Sequence, residues 1–569
     1  MHSNSKLAIS LFLGAAIAFA GSSKIAQDLE RMAPNTAVDV IVQFTQPPTS
    51  RQHKMVLDNG GQFRRELGLI RAAVYSIPPA RLTILAADPD VKYISPNRKV
   101  RASAFEYAPP AVFGDIAWKY GWSGAGIGVA VIDSGVDNKH PDLQDGRRSR
   151  IVYAEAFDVN AVTVDKYGHG THVAGILAGN GAASTGSQYT LTFTGLAPKA
   201  NIVNLRVLDG NGSGTDAGVI AAIQRAVQLK SVHNIRVVNL SLGRPVFESY
   251  KTDPLCQAAE AAWKAGLVVV VAAGNEGRNN SFGTAGYAMI GAPGNDPYAI
   301  TVGATKTLGT VPRADDTITS YSSKGPTAID HVVKPDIVAP GNRIGSLLDQ
   351  LGNFAVNYPI NIIALNEYRK TGTTRESSQY YKLSGTSMAT PVVAGAAALM
   401  LEKDPTLTPD AVKARLMKTA SKSFPSYASA TDPVTGQTYT TQHDIFTVGA
   451  GYLDVWAALN NTDVVTGAAL STAARYDSAT GSVYLVSADG AVWGTGAVWG
   501  TEAVWGTRVF LDASGAVWGT GAVWGTGAVW GTGAVWGTTT TSGSSATAMS
   551  AATSIASPES VNIAIYGEQ

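Results

Sequence analysis

One cysteine, Cys256, stands among 569 residues, so no intramolecular disulfide can form. It lies in the helix-like run Pro254–Ala259 with no base in a motif around it, and it reads as a small buried thiol rather than a nucleophile. A charge excess is also lacking. The 44 basic and 43 acidic residues nearly cancel, so no electrostatic argument points to nucleic acid or an anionic membrane. No apolar run approaches the roughly 20 residues that span a bilayer. The longest runs from Leu7 to Ala20, follows Lys6 and ends in Ala18-Phe19-Ala20. It reads as a signal peptide, residues 1–20, cleaved near Ala20. The expected product is secreted, extracellular or associated with the cell surface, with no membrane span after signal removal. Its stability must then come from core packing rather than disulfides.

What is present is length enough for two or three folded units. Residues 37–100 alternate short strands with a helix pattern. Strands are read at Ala37–Phe44, Arg71–Ile77 and Val91–Ile94, a helix at Ala80–Ala87, and a polar, helix-like patch at Gln62–Leu67. The pattern predicts a small α+β, ferredoxin-like domain. Over residues 110–460, apolar runs alternate with alanine-rich helical stretches. Ile127–Ile132, Ile202–Val207, Arg236–Leu240, Leu267–Ala273 and Ala299–Val302 read as strands buried on both faces. Helices are predicted at His169–Ala178, Gly214–Gln228, Leu255–Ala265, Ser387–Glu402 and Thr408–Lys418. The class is α/β: a mainly parallel sheet covered on both sides, in three α/β/α layers. Residues 466–569 turn to Ala, Gly, Ser and Thr. Within 491–538 the pentamer Ala-Val-Trp-Gly-Thr recurs with Trp493, Trp499, Trp505, Trp518, Trp524, Trp530 and Trp536. Their six-residue spacing would keep the tryptophans on one face of an extended strand, and the interval of 13 between Trp505 and Trp518 would flip that face.

Three Gly-flanked motifs carry chemistry. Asp133 ends an apolar run in Asp133-Ser134-Gly135. His169 stands in Gly168-His169-Gly170-Thr171-His172. Ser387 opens a helix in Gly385-Thr386-Ser387-Met388. A serine hydroxyl needs an adjacent base, and the base needs an orienting carboxylate. One of each, in this order, points to acyl-transfer chemistry, with His172 competing for the role of His169. At the head of a helix, Ser387 would lie in the positive end of its dipole. Asn275, in Ala273-Gly274-Asn275-Glu276, could donate to a developing oxyanion.

Asp133–Val136, Gly168–Gly175, Asn239–Gly243, Ala272–Gly277 and Gly385–Pro391 resemble, in residues and in order, the motifs of the subtilisin-like serine proteases. The resemblance implies a self-processing serine endopeptidase acting on proteins or peptides. Asp133, His169 and Ser387 would be the triad and Asn275 the oxyanion donor, with no cofactor needed for the chemistry. It implies that Ser241, Leu242 and Gly243 form one wall of the substrate cleft and Ala272, Ala273 and Gly274 the other. Gly291 would lie at the base of a pocket for large apolar side chains. It implies that residues 37–100 are an inhibitor-type propeptide that chaperones folding and is cut off near residues 101–107. It also implies a structural calcium with Asp142, in His140-Pro141-Asp142-Leu143, as a ligand. There are departures. The loop 180–194 carries no acidic residue to share that ion, and residues 343–382 look like an insertion bordering the cleft. For the repeat tail two readings stand: attachment to a cell-surface polymer or self-association, and a weakly ordered or self-burying extension. The rival reading of the whole chain is a surface-binding or adhesion protein on a protease-like scaffold.

Overall fold

The computed structural model describes residues 24–97 and 105–477, apart from 27–28, 30–33, 158–161, 282 and 371–372. It also describes 482–486, 510–512, 515–518, 522–524 and 558–568. The signal-peptide segment lies outside the described residues. So do most of the repeats, including Trp493, Trp499, Trp505, Trp530 and Trp536. The chain divides into two compact units, Met1–Ala102 and Ser103–Gln569.

In the first unit, four antiparallel strands run Gln62–Leu67, Ala72–Ile77, Val38–Phe44, Val91–Pro96 across the sheet. Helices Ser50–Asp58 and Leu82–Ala87 complete a β-α-β-β-α-β order, the split arrangement of ferredoxin-like domains. Its core gathers Val40, Val42, Phe44, Tyr75, Ile77, Leu85 and Ile94. The helix-like reading of Gln62–Leu67 is corrected: it is an edge strand, exposed along most of its length. Arg64, Arg65 and Glu66 suit an edge, where charge discourages further strand pairing.

The second unit is built on an eight-stranded sheet. Seven strands run, in order, Thr317–Ile318, Ile300–Lys306, Val268–Ala272, Ile235–Leu240, Gly128–Asp133, Asn201–Arg206 and Ile151–Ala156, while Ile337–Pro340 pairs with Ile300–Lys306. The pairs among the five central strands are parallel. Every residue of Gly128–Asp133 and of Val268–Ala272 is buried, as expected where helices cover both faces. Each Val or Ile so buried contributes about 1.5–3 kcal/mol. Helices Asp216–His233 and Pro254–Lys264 pack on each other and on the sheet, as do His169–Ala178 and Thr386–Lys403. This is the three-layer α/β/α fold. The helix Thr386–Lys403 is buried over nearly its whole length, so its first turn has little freedom to move.

Residues 343–382 fold as a three-stranded antiparallel sheet, Ile344–Leu347, Glu376–Leu383 and Ile362–Ala364. Its loop reaches the segment before His169: Asn353 N–H donates to the Lys166 carbonyl (2.9 Å), and the Phe354 and Tyr167 rings lie 4.4 Å apart.

The reading of 466–569 as one tail outside the catalytic body is corrected at both ends. Ala469, Ser471 and Thr472 are buried in this unit, and so are Ile563, Ile565 and Glu568 after the repeats. Between them, Ala473–Asp477, Ser482–Val486, Phe510–Asp512, Gly515–Trp518 and Ala522–Trp524 form an antiparallel sheet. Its register sets Trp518 opposite Ala522 and Ala516 opposite Trp524.

Candidate active site

The site lies beyond the carboxyl ends of the central strands, where open α/β sheets gather functional groups. Asp133 is the last residue of its strand, Ser241 follows Ile235–Leu240, and Asn275 follows Val268–Ala272. His169 and Ser387 sit in the first turns of two helices that pack together.

His169 Nδ1 and Asp133 Oδ1 are 2.7 Å apart, with Asp133 fully buried and the histidine side chain 12% exposed. That bond puts the hydrogen on Nδ1 and leaves Nε2 free to accept one. Burial pushes the His169 pKa down, but the charge and hydrogen bond of Asp133, with the charge of Asp165, outweigh it and raise it above its ordinary value. Gly170 makes the approach feasible: a Cβ there would stand 2.2 Å from the Gly135 carbonyl oxygen and 3.1 Å from Asp133.

Ser387 belongs to a second cluster. Its hydroxyl donates to the Ser241 carbonyl (3.1 Å), and the Ser241 hydroxyl donates to the Ser387 carbonyl (2.9 Å). The Asn275 carbonyl oxygen accepts from Thr386 N–H (2.9 Å) and from its hydroxyl (3.1 Å). With that oxygen held, the Nδ2 end faces Gly385, whose backbone (φ +143°) is open to glycine; a Cβ there would stand 3.2 Å from Nδ2. Thr386 also accepts from Gly274 N–H (3.2 Å), so the nucleophile loop and the Asn275 loop are tied together. The serine hydroxyl donates to the Ser241 carbonyl rather than to His169.

The two wall segments meet at Gly291. Its N–H donates to the Ala273 carbonyl (3.1 Å), while Ala292 exchanges hydrogen bonds of 2.7 and 3.0 Å with Arg244, directly after Gly243. Leu242 is 7% exposed. His172 does not compete with His169. It is buried, its Nε2 donates to the Ile344 and Tyr381 carbonyls (3.0 and 3.2 Å), and burial together with the nearby His169 pushes its pKa down to about 3. It ties the helix to the inserted sheet. Cys256 is buried, its thiol donates to Asn295 Oδ1 (3.1 Å), and burial raises its pKa.

Asp165 was not singled out in the sequence, yet it organises the His169 turn. Oδ1 accepts from Gly168 N–H (2.7 Å) and the Ser134 hydroxyl (2.9 Å), and Oδ2 from Thr171 N–H (2.8 Å). The Ser134 oxygen in turn accepts from Gly170 N–H (2.9 Å). A carboxylate just ahead of a helix start was the available signal.

Asp142 does not fit the implied calcium. Its carboxylate oxygens accept from Ala183 N–H (2.7 Å) and from the Tyr380 hydroxyl (2.8 Å), and its carbonyl accepts from Arg150. Calcium needs six to eight oxygens turned toward it. Here donors face the carboxylate, a guanidinium lies beside it, and among the described residues no group of three His, Cys, Asp or Glu is arranged to hold a metal ion. Tyr380→Phe is expected to cost about 1–3 kcal/mol by leaving this buried oxygen short of a donor. Denaturant unfolding measures it, and added calcium is not expected to restore it.

Comparison with known proteins agrees with this geometry. Residues 124–451 match the model of the subtilase family. The chain is 37% identical over 349 residues to serine protease AprX of Bacillus subtilis, covering 59% of this chain and 71% of that protein. It is 31% identical over 378 residues to subtilisin E of the same organism, covering 65% and 81%. It is 33% identical over 323 residues to a thermophilic serine proteinase of a Bacillus species, covering 55% and 64%.

Proposed function

The chain belongs to the subtilase family and is a serine-type endopeptidase, and on that premise we propose that Asp133, His169 and Ser387 are its triad and Asn275 its oxyanion donor. Ser387 Oγ attacks the peptide carbonyl. His169 Nε2 takes the hydroxyl proton and delivers it to the leaving amine, while Asp133 holds Nδ1–H and stabilises the imidazolium. The Asn275 amide and the positive end of the Thr386–Lys403 helix meet the charge on the carbonyl oxygen. An acyl-enzyme forms and water releases it.

The observation that carries this reading is the pairing of two rigid contacts: His169 to Asp133 at 2.7 Å, and the Asn275 amide oriented by Thr386 beside Ser387. Treatment with a serine-directed phosphonate, followed by peptide mapping, tests it. Label is expected on Ser387, and label elsewhere or none would overturn the assignment. Asn275→Ala is expected to lower kcat by about 10²–10³-fold, a scale borrowed from a subtilisin. KM should barely change, because the amide meets charge that exists only in the transition state. Steady-state kinetics on a peptide substrate check this.

The substrate enters as an extended strand between Ser241–Gly243 and Ala272–Gly274. Gly291, which offers no side chain between the walls, favours a large apolar residue before the cleaved bond. The first unit acts as inhibitor and folding aid, with secretion and self-processing completing maturation. The processing cut falls ahead of Phe105. Phe105 is buried in the second unit, and the Glu106 carboxylate accepts from Thr307 and from Asn342 (3.0 Å). N-terminal sequencing of the processed enzyme checks the cut, and Ser387→Ala should stay unprocessed.

A further inference from the structure

Residues 558–568 do not trail from the catalytic unit; they are built into it beside the site. The helix Pro558–Tyr566 packs against the strand Glu376–Leu383, which leads into Ser387. The Ala564 carbonyl accepts from Ser384 N–H (2.9 Å), three residues before the nucleophile. The Ile565 carbonyl accepts from Asn361 (2.6 Å). Glu568 exchanges two hydrogen bonds with Asn342, N–H to Oδ1 at 2.8 Å and carbonyl from Nδ2 at 2.9 Å. Asn342 follows Gly341, whose carbonyl holds Gly385 N–H (2.8 Å). The backbone of this segment therefore grips the loop that presents Ser387.

The Glu568 side chain reaches the other half of the site. The residue is 1% exposed. Its Oε1 accepts from Arg278 Nη2 (3.0 Å), from Ser320 N–H (2.8 Å) and from the Ser320 hydroxyl. Arg278 lies three residues after Asn275, and its Nε donates to the Ser320 hydroxyl (2.8 Å). The Ser320–Ser323 stretch braces the Asn275 loop: Tyr321 carbonyl to Gly277 N–H (2.8 Å), and Ser323 N–H to the Gly274 carbonyl (2.9 Å). One buried residue thus bonds through its backbone to the nucleophile loop and through its carboxylate to the oxyanion loop.

We propose that residues 558–568 are a clasp that sets the distance between Ser387 and Asn275, with Glu568 as a positioning residue for peptide hydrolysis. The inference rests on the site assignment above. The clasp also fixes the far end of the repeat segment, so residues 478–557 run between two points on one catalytic unit, and cutting within them need not release the clasp.

The test uses the full chain with a site for a sequence-specific protease inserted between residues 540 and 555. The nicked enzyme is expected to keep its fragment through gel filtration and to keep its kcat. Glu568→Gln is expected to lower kcat by roughly 10–100-fold with KM little changed, since small misplacement of reacting groups acts on the transition state. Phosphonate labelling of Ser387 should slow in parallel, while circular dichroism and the unfolding midpoint show the unit still folded. Diluting the nicked wild-type enzyme until the fragment dissociates should lower activity in step, and excess synthetic peptide 557–569 should restore it; this arm reads the clasp even where Glu568→Gln does not fold. Unchanged kcat after loss of the fragment, or loss of activity that tracks only unfolding and does not respond to the peptide, would overturn the clasp. Failure of the wild type to label at Ser387 would instead overturn the site assignment.

Discussion

Ser387→Ala and His169→Ala are each expected to lower kcat by about 10⁶-fold, and the double variant to be no worse than either, a scale taken from a subtilisin rather than derived from this geometry. The reason for non-additivity is local. The serine hydroxyl donates to the Ser241 carbonyl at 3.1 Å, and a neutral hydroxyl in that arrangement is no nucleophile until a base removes its proton. Without His169 the serine has no base; without Ser387 the histidine has nothing to activate. The clusters that hold each residue are separate. Asp133 and Asp165 position His169, while Ser241, Thr386 and Asn275 position the Ser387 loop. Each single variant should therefore leave the other half of the site folded. KM should stay within a few-fold, because the proposed peptide-binding walls are backbone segments, and of the two side chains only Ser387 touches them, through one hydrogen bond to the Ser241 carbonyl. A residual 10³–10⁴-fold advantage over water, from binding and the oxyanion donors alone, is the expected floor. Single-turnover kinetics on the two single variants and the double variant measure all three rates.

The elements of the fold differ in how clearly the sequence announced them. Strands such as Val268–Ala272 were legible because burial on both faces forces a continuous apolar run, and the helix His169–Ala178 began where its glycine-flanked histidine suggested. Asp133, His169, Asn275 and Ser387 were legible because each terminates or opens such an element within a glycine-rich turn. What escaped was polar or non-local. The helix Ser50–Asp58 is hydrophilic, although the Thr49 and Gln52 capping box marked its start. Gln62–Leu67 is a strand whose charges reflect its edge position rather than a helix face. At Asp142 the motif suggested a cation, but the carboxylate is met by Tyr380, 238 residues away in sequence, a pairing that no local pattern announces. The clasp was hidden by rhythm. Val561, Ile563 and Ile565 alternate as a strand would, yet the segment is helical.

Asp133→Ala is expected to lower kcat by about 10⁴-fold, and Asp133→Asn by less, for a reason specific to this carboxylate. Oδ1 accepts both His169 Nδ1–H (2.7 Å) and Ser134 N–H (2.7 Å), while Oδ2 is buried without a hydrogen-bond partner among the described residues. An asparagine here therefore has one favoured orientation. Its carbonyl oxygen takes the Oδ1 position and continues to accept both bonds; the reverse would aim an amide N–H at the Ser134 N–H. The tautomer with Nε2 free is then preserved, and what is lost is the negative charge. The charge has its own signature. Burial pushes the His169 pKa down, and the attraction and hydrogen bond of Asp133, aided by Asp165, lift it above its ordinary value. Catalysis needs the neutral imidazole, so the acid limb of kcat/KM in the wild type should lie at higher pH than for an ordinary imidazole, with rate lost tenfold per pH unit on its acid side. Without the negative charge, burial of the ring disfavours the imidazolium unopposed by Asp133, and the acid limb of Asp133→Asn should move to lower pH. Asp165→Asn should shift it the same way by less, since only its charge reaches the ring. A pH–rate series over the three variants reads both effects at once. An Asp133→Asn enzyme as slow as Asp133→Ala at every pH would mean that the amide had turned over and imposed the wrong tautomer. An acid limb that stayed in place would mean that the carboxylate acts on His169 through orientation alone.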